Sequence, residues 1–173
     1  MDFTRKKHRL DSNQYLGEKW FFITMCCEGR RPVFLTRNNA EWIVAILSAE
    51  AAAHQFLLDA FCVMPDHLHF LALGMAPTSN LLAFAKSFKQ KTAYSYQKEH
   101  GLWLWQKNFY DHVLRPDESS GRVAAYIWMN PVRKGLCKTF EEYPFSGSFS
   151  RPWKNSMDAD LWVPPWKKTK MPA

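Results

Sequence analysis

The segment VMPDHLHFLAL at residues 63–73 decides the fold, because it joins two apolar runs through a tight turn. The first run, Phe56–Met64, is short and apolar, which is typical of a buried strand. Pro65 and Asp66 favour a turn, since proline presets its own backbone angle and aspartate bonds to nearby backbone. The second run, His67–Leu73, follows at once. The sequence therefore predicts a β-hairpin here.

Strands and helices alternate on both sides of this hairpin. Short aromatic and β-branched runs predict strands, and apolar residues at helical spacing predict helices. The further strands are Trp20–Cys27 and Asn108–Leu114, and the helices are Asn39–His54, Ser79–Glu99 and a segment from Pro116 towards Asn130. The resulting order predicts an α+β protein: a ferredoxin-like βαββαβ sandwich, with an antiparallel sheet, helices on one face and an extra C-terminal helix.

Helix boundaries are predicted from capping chemistry. Asn38 precedes Glu41 by three residues, which resembles a capping box at the start of the first helix. Ser79 or Asn80 is the expected cap of the second helix. Pro131 is expected to disturb the last helix, because proline has no N–H and clashes with the preceding turn.

The length of 173 residues predicts one domain over residues 1–148, which begins with a basic arm at 1–17 and is followed by a tail. That tail, 149–173, is rich in Trp, Pro and Lys without periodicity, so we expect it to be extended or partly disordered. No apolar run is long enough to cross a bilayer, and we expect a cytoplasmic protein. The four cysteines form no CxxC pair, which favours reduced thiols.

Charge and aromatic content indicate the class of partner. The net charge is +7, and such an excess of Lys and Arg is typical of proteins that neutralise phosphates. Eight tryptophans exceed what a core of this size requires. A nucleic acid or an anionic membrane surface is therefore the expected partner.

His67 and His69 are the first candidate metal ligands. They are two residues apart in a predicted strand, so both imidazoles leave one face and can converge on one ion. Two imidazoles favour Mn, Zn, Fe or Ni, and an added oxygen ligand with a phosphate would also accept Mg. The (β/α)8 hydrolases that also use such a pair need about 250 residues. Two histidines also occur by chance on a surface strand, so both interpretations stay open.

Tyr126 and Asn130 are four residues apart in the last predicted helix and so share one face. A nucleophile and a metal ligand would be placed side by side in this way. Tyr126 is equally compatible with a role as a core aromatic residue, and Asn130 before Pro131 is a suitable helix N-cap. The spacing alone leaves these alternatives open.

Three segments in order resemble one family: VMPDHLHFLAL at 63–73, LWLWQKNFYD at 102–111 and YIWMNPVRKGL at 126–136. Together they resemble the REP-associated tyrosine transposases, a branch of the single-tyrosine HUH transposases, over roughly residues 5–143. The resemblance implies a ferredoxin-like nuclease that cuts single-stranded DNA beside an imperfect palindromic hairpin, with transposition as its outcome. It also implies a 5′-phosphotyrosine intermediate and no ATP.

The same resemblance assigns roles to residues. Tyr126 matches the nucleophile, His67 and His69 match the metal ligands, and Asn130 stands where relatives complete the metal site. Mg2+ or Mn2+ would be the working ion, single-stranded or hairpin DNA the partner, and a monomer or a homodimer the working unit. The candidate DNA-binding residues are Arg5, Lys6, Lys7, Arg9, Lys86, Lys89, Lys91, Trp105 and Arg133, with Trp103 and Trp153 as further stacking candidates.

Two other functions remain compatible with the sequence. The ferredoxin-like fold also serves RNA-binding modules, although no run typical of their base-stacking strands is present. A domesticated protein could keep hairpin binding without transposition, since its catalytic residues would look the same.

Overall fold

The computed structural model describes residues 10–150 and 162–168. Most of the predicted basic arm, including Arg5, Lys6, Lys7 and Arg9, lies outside the described residues, as does Trp153. One antiparallel sheet has the strand order β4-β1-β3-β2-β5. Its strands are β1 (Trp20–Cys26), β2 (Phe56–Met64), β3 (His67–Gly74), β4 (Tyr110–Val113) and β5 (Ser146–Gly147).

The helices follow the predicted order along the chain. They are α1 (Arg37–Ala53), α2 (Leu81–His100), α3 (Ser120–Trp128), α4 (Asn130–Arg133) and α5 (Pro165–Lys168). The sequence β1-α1-β2-β3-α2-β4 is that of the ferredoxin-like sandwich, so the predicted fold is confirmed. The extra C-terminal helix of the prediction corresponds to α3 and α4.

Two hydrophobic layers cover the two faces of the sheet. Along β1, Phe21, Ile23 and Met25 pack with α1 and α2, whereas Phe22 packs with α3. This alternation follows from the two-residue repeat of a strand. The sheet therefore separates an α1–α2 face from an α3 face, and each residue of β1 and β3 belongs to one of them.

The β2–β3 hairpin is confirmed. Met64 pairs directly with His67 across the turn formed by Pro65 and Asp66. The register continues through Cys62 opposite His69. This turn therefore sets the position of both histidines relative to β2.

Two helix boundaries differ from those predicted. The N-cap of α1 is Thr36, whose hydroxyl accepts the backbone N–H of Asn39 at 3.3 Å, so the cap expected at Asn38 is wrong. The α3 helix ends at Trp128 and a separate short helix begins at Asn130. Pro131 in the first turn of α4 explains this break, because it could not continue the hydrogen-bond ladder of α3.

The four cysteines are free, as predicted. Within residues 10–150 and 162–168, no helix is long and apolar enough to cross a membrane.

Candidate active site on the α3 face of the sheet

His67 and His69 face each other on the α3 side of β3. They alternate with Leu68 and Phe70, which pack into the layer on the opposite face. The two Nε2 atoms are 3.1 Å apart, and the rings are nearly perpendicular at 84°. The expectation that both imidazoles leave one face of the strand matches this geometry.

Each histidine is oriented through its other ring nitrogen. Nδ1 of His67 lies 2.6 Å from Oδ1 of Asp66, and Nδ1 of His69 lies 2.7 Å from the hydroxyl of Thr24. A carboxylate only accepts hydrogen bonds, so Nδ1 of His67 carries the proton and its Nε2 presents a lone pair. The Thr24 hydroxyl can accept the Nδ1 proton of His69 in the same way. In that tautomer both Nε2 atoms present lone pairs to an ion between them, whereas in the other tautomer of His69 its Nε2–H donates to Nε2 of His67 at 3.1 Å.

Burial keeps this pair in the neutral form that binds metals. Burial lowers the pKa of His67, against the opposing effect of Asp66. Burial also lowers the pKa of His69 well below its usual value, and the charges of His67 and Arg133 act in the same direction. Near pH 7 both rings are therefore deprotonated and available as ligands.

Asp66 is itself held in place by Arg30. The Arg30 Nε lies 2.9 Å from Oδ2 of Asp66, and its Nη1 donates to the thiol of Cys26 at 2.8 Å. Burial would raise the pKa of Asp66, but the hydrogen bond and charge of His67 and the charge of Arg30 lower it overall. Arg30 and the preceding Gly29 both have left-handed backbones, with φ of 54° for Arg30 and 62° for Gly29. For Arg30 this costs about 1–2 kcal/mol, so the turn holds its side chain here against local strain.

Tyr126 lies on the same face of the sheet as the histidine pair and is almost fully covered, with 4% of its surface exposed. Phe22 contacts both rings: its centroid is 5.7 Å from that of His69 and 6.2 Å from that of Tyr126. The guanidinium of Arg133 stacks 4.1 Å from the centroid of Tyr126. Burial raises the pKa of Tyr126, while the charge and hydrogen bond of Arg133 oppose that rise.

Residues of the C-terminal tail also cover Tyr126. Trp162 is buried against it with ring centroids 5.3 Å apart, and the ammonium of Lys167 lies 5.7 Å from the same ring. The indole N–H of Trp162 donates to Glu118 at 2.9 Å, and Glu118 also contacts His112 at 2.6 Å. These tail residues are packed, which differs from the extended or disordered tail expected. Trp162 is an aromatic anchor for them, and an isolated anchor has no periodicity to detect.

Asn130 links the end of α3 to the start of α4. Its amide nitrogen donates to the carbonyls of Tyr126 and Ile127, both at 3.2 Å. The N-cap position of α4 belongs to Met129, so the N-cap alternative for Asn130 is wrong. Because the amide nitrogen serves α3, the Oδ1 oxygen is the amide atom left for another ligand.

The spacing of the two imidazole nitrogens fits a divalent ion bound between them. Two cis ligands of an octahedral ion at about 2.1 Å are about 3.0 Å apart, close to the spacing of the two Nε2 atoms. Among the described residues, no group of three or more His, Cys, Asp or Glu is arranged to hold a metal. Within residues 10–150 and 162–168, the candidate for a third ligand is therefore an oxygen of another kind, such as Oδ1 of Asn130, and a substrate phosphate could supply another.

The structure separates the predicted DNA-binding residues into groups. Arg133 lies at the site, against Tyr126. Lys86, Lys89 and Lys91 lie on α2, which packs on the opposite face of the sheet. Lys89 donates to the carbonyl of Gln106 at 2.7 Å, and Lys91 pairs with Glu50. The structure therefore does not bring these three lysines to the Tyr126 site.

Trp105 and Trp103 differ although they are two residues apart. Trp105 is buried, with 7% of its surface exposed, and its indole N–H donates to Thr92 at 2.8 Å. Its ring thus belongs to the core in this conformation. Trp103 is 65% exposed.

Thr24, Arg30 and Asp66 were missed as site residues by the sequence reasoning. Asp66 was interpreted only as a turn residue, although a carboxylate directly before a histidine pair is a usable signal. Thr24 pairs with His69 across β1 and β3, so its role appears only once the strand register is known.

Comparison with known proteins places the chain among transposases. The family model described as "Transposase IS200 like" matches residues 19–129. An Escherichia coli REP-associated tyrosine transposase is 25% identical over 130 residues, covering 75% of this chain and 76% of the relative. A Haemophilus influenzae protein provisionally named a REP-associated tyrosine transposase is 25% identical over 154 residues, covering 82% and 86%. The solved REP-associated tyrosine transposase bound to a REP hairpin superposes with a TM-score of 0.70 at 22% identity, covering 93% of this chain and 92% of that one.

Proposed function

This chain belongs to the IS200-like transposase family, and we propose that it cuts single-stranded DNA beside a hairpin through a covalent bond between Tyr126 and a 5′-phosphate. The second step, attack by a 3′-hydroxyl on that bond, would join new ends. Metal dependence is part of the proposal, with His67, His69 and Asn130 as the residues that hold Mg2+ or Mn2+.

The observation that carries the proposal is the arrangement of Tyr126 and the histidine pair around Phe22. Phe22 lies within 6.2 Å of Tyr126 and 5.7 Å of His69, measured between ring centroids. Both groups thus contact one ring on the same face of the sheet, and the proposal is that a phosphate held at the facing Nε2 atoms comes within reach of the phenol. A further neighbour of Tyr126, Arg133, is a cation that can bind a phosphate oxygen.

In the proposed reaction, the Tyr126 oxygen attacks phosphorus and loses its proton to solvent. The bond between phosphorus and the 3′-oxygen breaks, and that oxygen leaves as a hydroxyl after gaining a proton. A bound divalent ion supplies Lewis-acid stabilisation of the negative charge on the phosphate. Arg133 stabilises the phenolate, because its guanidinium stacks on the ring and opposes the rise in pKa that burial causes.

Hairpin DNA is the proposed substrate because of two observations. The solved relative is described as bound to a REP hairpin, and this chain carries a net charge of +7. A hairpin joined to an unpaired flank offers both a duplex for cationic contacts and a flexible strand that can enter the site.

A second candidate is a hairpin-binding protein that does not cut. The burial of Tyr126 beneath Trp162 favours it, because a covered nucleophile cannot meet a phosphate. Under the cleavage proposal, DNA must displace Trp162 and Lys167 before reaction.

The test is a denaturing gel of purified protein with end-labelled hairpin DNA and Mn2+. We expect wild type to form a protein–DNA adduct. The adduct should disappear when EDTA is added and in Tyr126→Phe, although wild type with EDTA and Tyr126→Phe should still bind the hairpin. Tyr94→Phe is the matched control, since this exposed tyrosine lies on α2, on the opposite face of the sheet. Hairpin binding without any adduct at every metal tested would leave only the second candidate.

A further inference from the structure

Trp103 is the most exposed aromatic residue of a loop that packs against the end of β1. It lies in the loop between α2 and β4, with 65% of its area exposed, next to the exposed Leu102. A tryptophan so exposed is unusual where its neighbours Leu104 and Trp105 are buried. We define the Trp103 platform as Trp103, Arg31 and Tyr96.

The platform is held in place by its backbone. The Leu104 carbonyl accepts the N–H of Glu28 at 2.8 Å, and the N–H of Gln106 donates to the Cys26 carbonyl at 2.9 Å. An isolated bridge joins Cys27 to Trp105. The loop is thereby fixed to the chain that leaves β1, and Trp103 is presented by a rigid support.

Arg31 brings positive charge to the platform. Its Nη2 donates to the Trp103 carbonyl, its Nε donates to the Glu28 carbonyl at 3.2 Å, and its guanidinium lies 5.9 Å from the ring centroid of Tyr96. These two hydrogen bonds use two of the five N–H donors of a guanidinium. The others are suited to a phosphate next to a base stacked on Trp103.

The loop that carries the platform is bonded to the same end of β1 as the turn that holds Asp66, since Glu28 donates to the Leu104 carbonyl at 2.8 Å and Cys27 to the Asp66 carbonyl at 2.9 Å. Cys26, which accepts the N–H of Gln106, pairs across the sheet with His67. Arg30 and Arg31 are adjacent, and Arg30 holds Asp66 at the histidine pair. Trp103 and Gln106 are three positions apart, a reach of at most about 11 Å. The inference requires a short unpaired strand to pass from Trp103 around this end of β1 to the histidine pair.

Resting on the cleavage function proposed above, we infer that the Trp103 platform binds an unpaired nucleotide of the DNA strand that runs into the histidine pair. The base stacks on Trp103 and the adjoining phosphate pairs with Arg31. Stacking is tolerant of sequence, since every base has a π-face. The platform thus holds the flank of a hairpin substrate without reading which base occupies it.

The test compares three DNAs: a blunt hairpin, the hairpin with an unpaired flank, and the hairpin with a flank of equal length made of abasic residues. Flanks are placed on the 5′ or the 3′ side in separate sets. Affinities are measured by fluorescence anisotropy without metal, in the Tyr126→Phe background, so that no cleavage contributes.

Trp103→Ala is expected to weaken binding of the intact flank by roughly 5- to 150-fold, the range for loss of one stacked base. Trp103→Tyr should restore most of that affinity, and binding of blunt and abasic DNA should not change. Arg31→Gln should weaken intact and abasic flanks alike and lower the slope of log affinity against log salt by about one. Tyr94→Ala, which removes an aromatic ring 70% exposed, is the matched control.

The inference would be overturned if Trp103→Ala prefers intact over abasic flanks by the same factor as the Tyr126→Phe parent does. It would also be overturned if the parent binds intact and abasic flanks with equal affinity. The proposed cleavage fails separately, by absence of the Tyr126 adduct. That result would leave a flank-binding platform on a protein that does not cut.

Discussion

Replacing Asp66 should weaken metal binding without disturbing the fold. Asp66 accepts the Nδ1 proton of His67 at 2.6 Å and is paired with Arg30 at 2.9 Å, yet its side chain is 25% exposed. Carboxylates in this position fix the ring and raise the basicity of the ligating nitrogen, and their loss typically lowers metal affinity about 10- to 100-fold. We expect Asp66→Asn to raise the Kd for Mn2+ by about that factor, equivalent to roughly 1.4–2.8 kcal/mol.

The two possible substitutions separate charge from orientation. Asparagine keeps an oxygen that can accept the Nδ1 proton and removes only the charge, whereas Asp66→Ala removes both. Alanine should therefore weaken Mn2+ binding more than asparagine. Thr24→Val, which removes the hydroxyl beside His69, should act in the same direction through the other ring.

In the assay, metal-free protein is titrated with Mn2+ and the concentration of free Mn2+ is measured by its electron paramagnetic resonance signal. Glu41→Gln is the matched control, because it removes an equal charge from an exposed carboxylate paired with Arg37 on α1. Thermal melts establish that each variant folds. If Asp66→Asn binds Mn2+ as tightly as Glu41→Gln does, the orienting role of Asp66 is refuted.

Three further outcomes follow from the site and its surroundings. Trp162→Ala should accelerate adduct formation by roughly 2- to 12-fold, since an aromatic pair contributes about 0.5–1.5 kcal/mol to the closed state; an unchanged rate in a single-turnover gel assay would contradict this. Arg133→Gln should slow adduct formation more than it weakens hairpin binding, whereas equal losses in rate and in affinity would make Arg133 a binding residue only. Burial raises the pKa of Tyr143 above that of an unfolded chain, so its contribution to the free energy of unfolding is full below about pH 10 and is lost as pH rises above that value. Urea melts should therefore show a smaller fall in the free energy of unfolding for Tyr143→Phe than for wild type between about pH 9 and pH 11. Equal falls in the two proteins would exclude this group as the cause.

Local patterns in the sequence predicted the parts of the site that lie on one element. The two-residue repeat of β3 suffices to place His67 and His69 together. The helical repeat predicted Tyr126 and Asn130 on one helix, whereas they lie in α3 and α4 and are joined by the hydrogen bond from the Asn130 amide to the Tyr126 carbonyl. The break between α3 and α4 also follows locally, from Pro131. In each case the decisive geometry is a property of a short segment of backbone.

Features that depend on packing between distant segments could not be predicted. Thr24 reaches His69 only through the register of β1 with β3, and the lysines of α2 lie away from the site because that helix packs on the opposite face of the sheet. Trp103 and Trp105 have similar local sequence, but of the two only Trp105 packs in the core and donates a hydrogen bond there, to Thr92. Trp162 contacts Glu118 across 44 positions of chain.

The amide of Asn130 has a mechanical consequence. Its two hydrogen bonds, to the carbonyls of Tyr126 and Ile127, tie the first residue of α4 to the last turn of α3. A displacement of α3 that carries the tyrosine towards a phosphate would therefore also pull on Asn130. Lengthening or shifting α3 to change the reach of this tyrosine would disturb the Asn130 amide unless these two hydrogen bonds were removed.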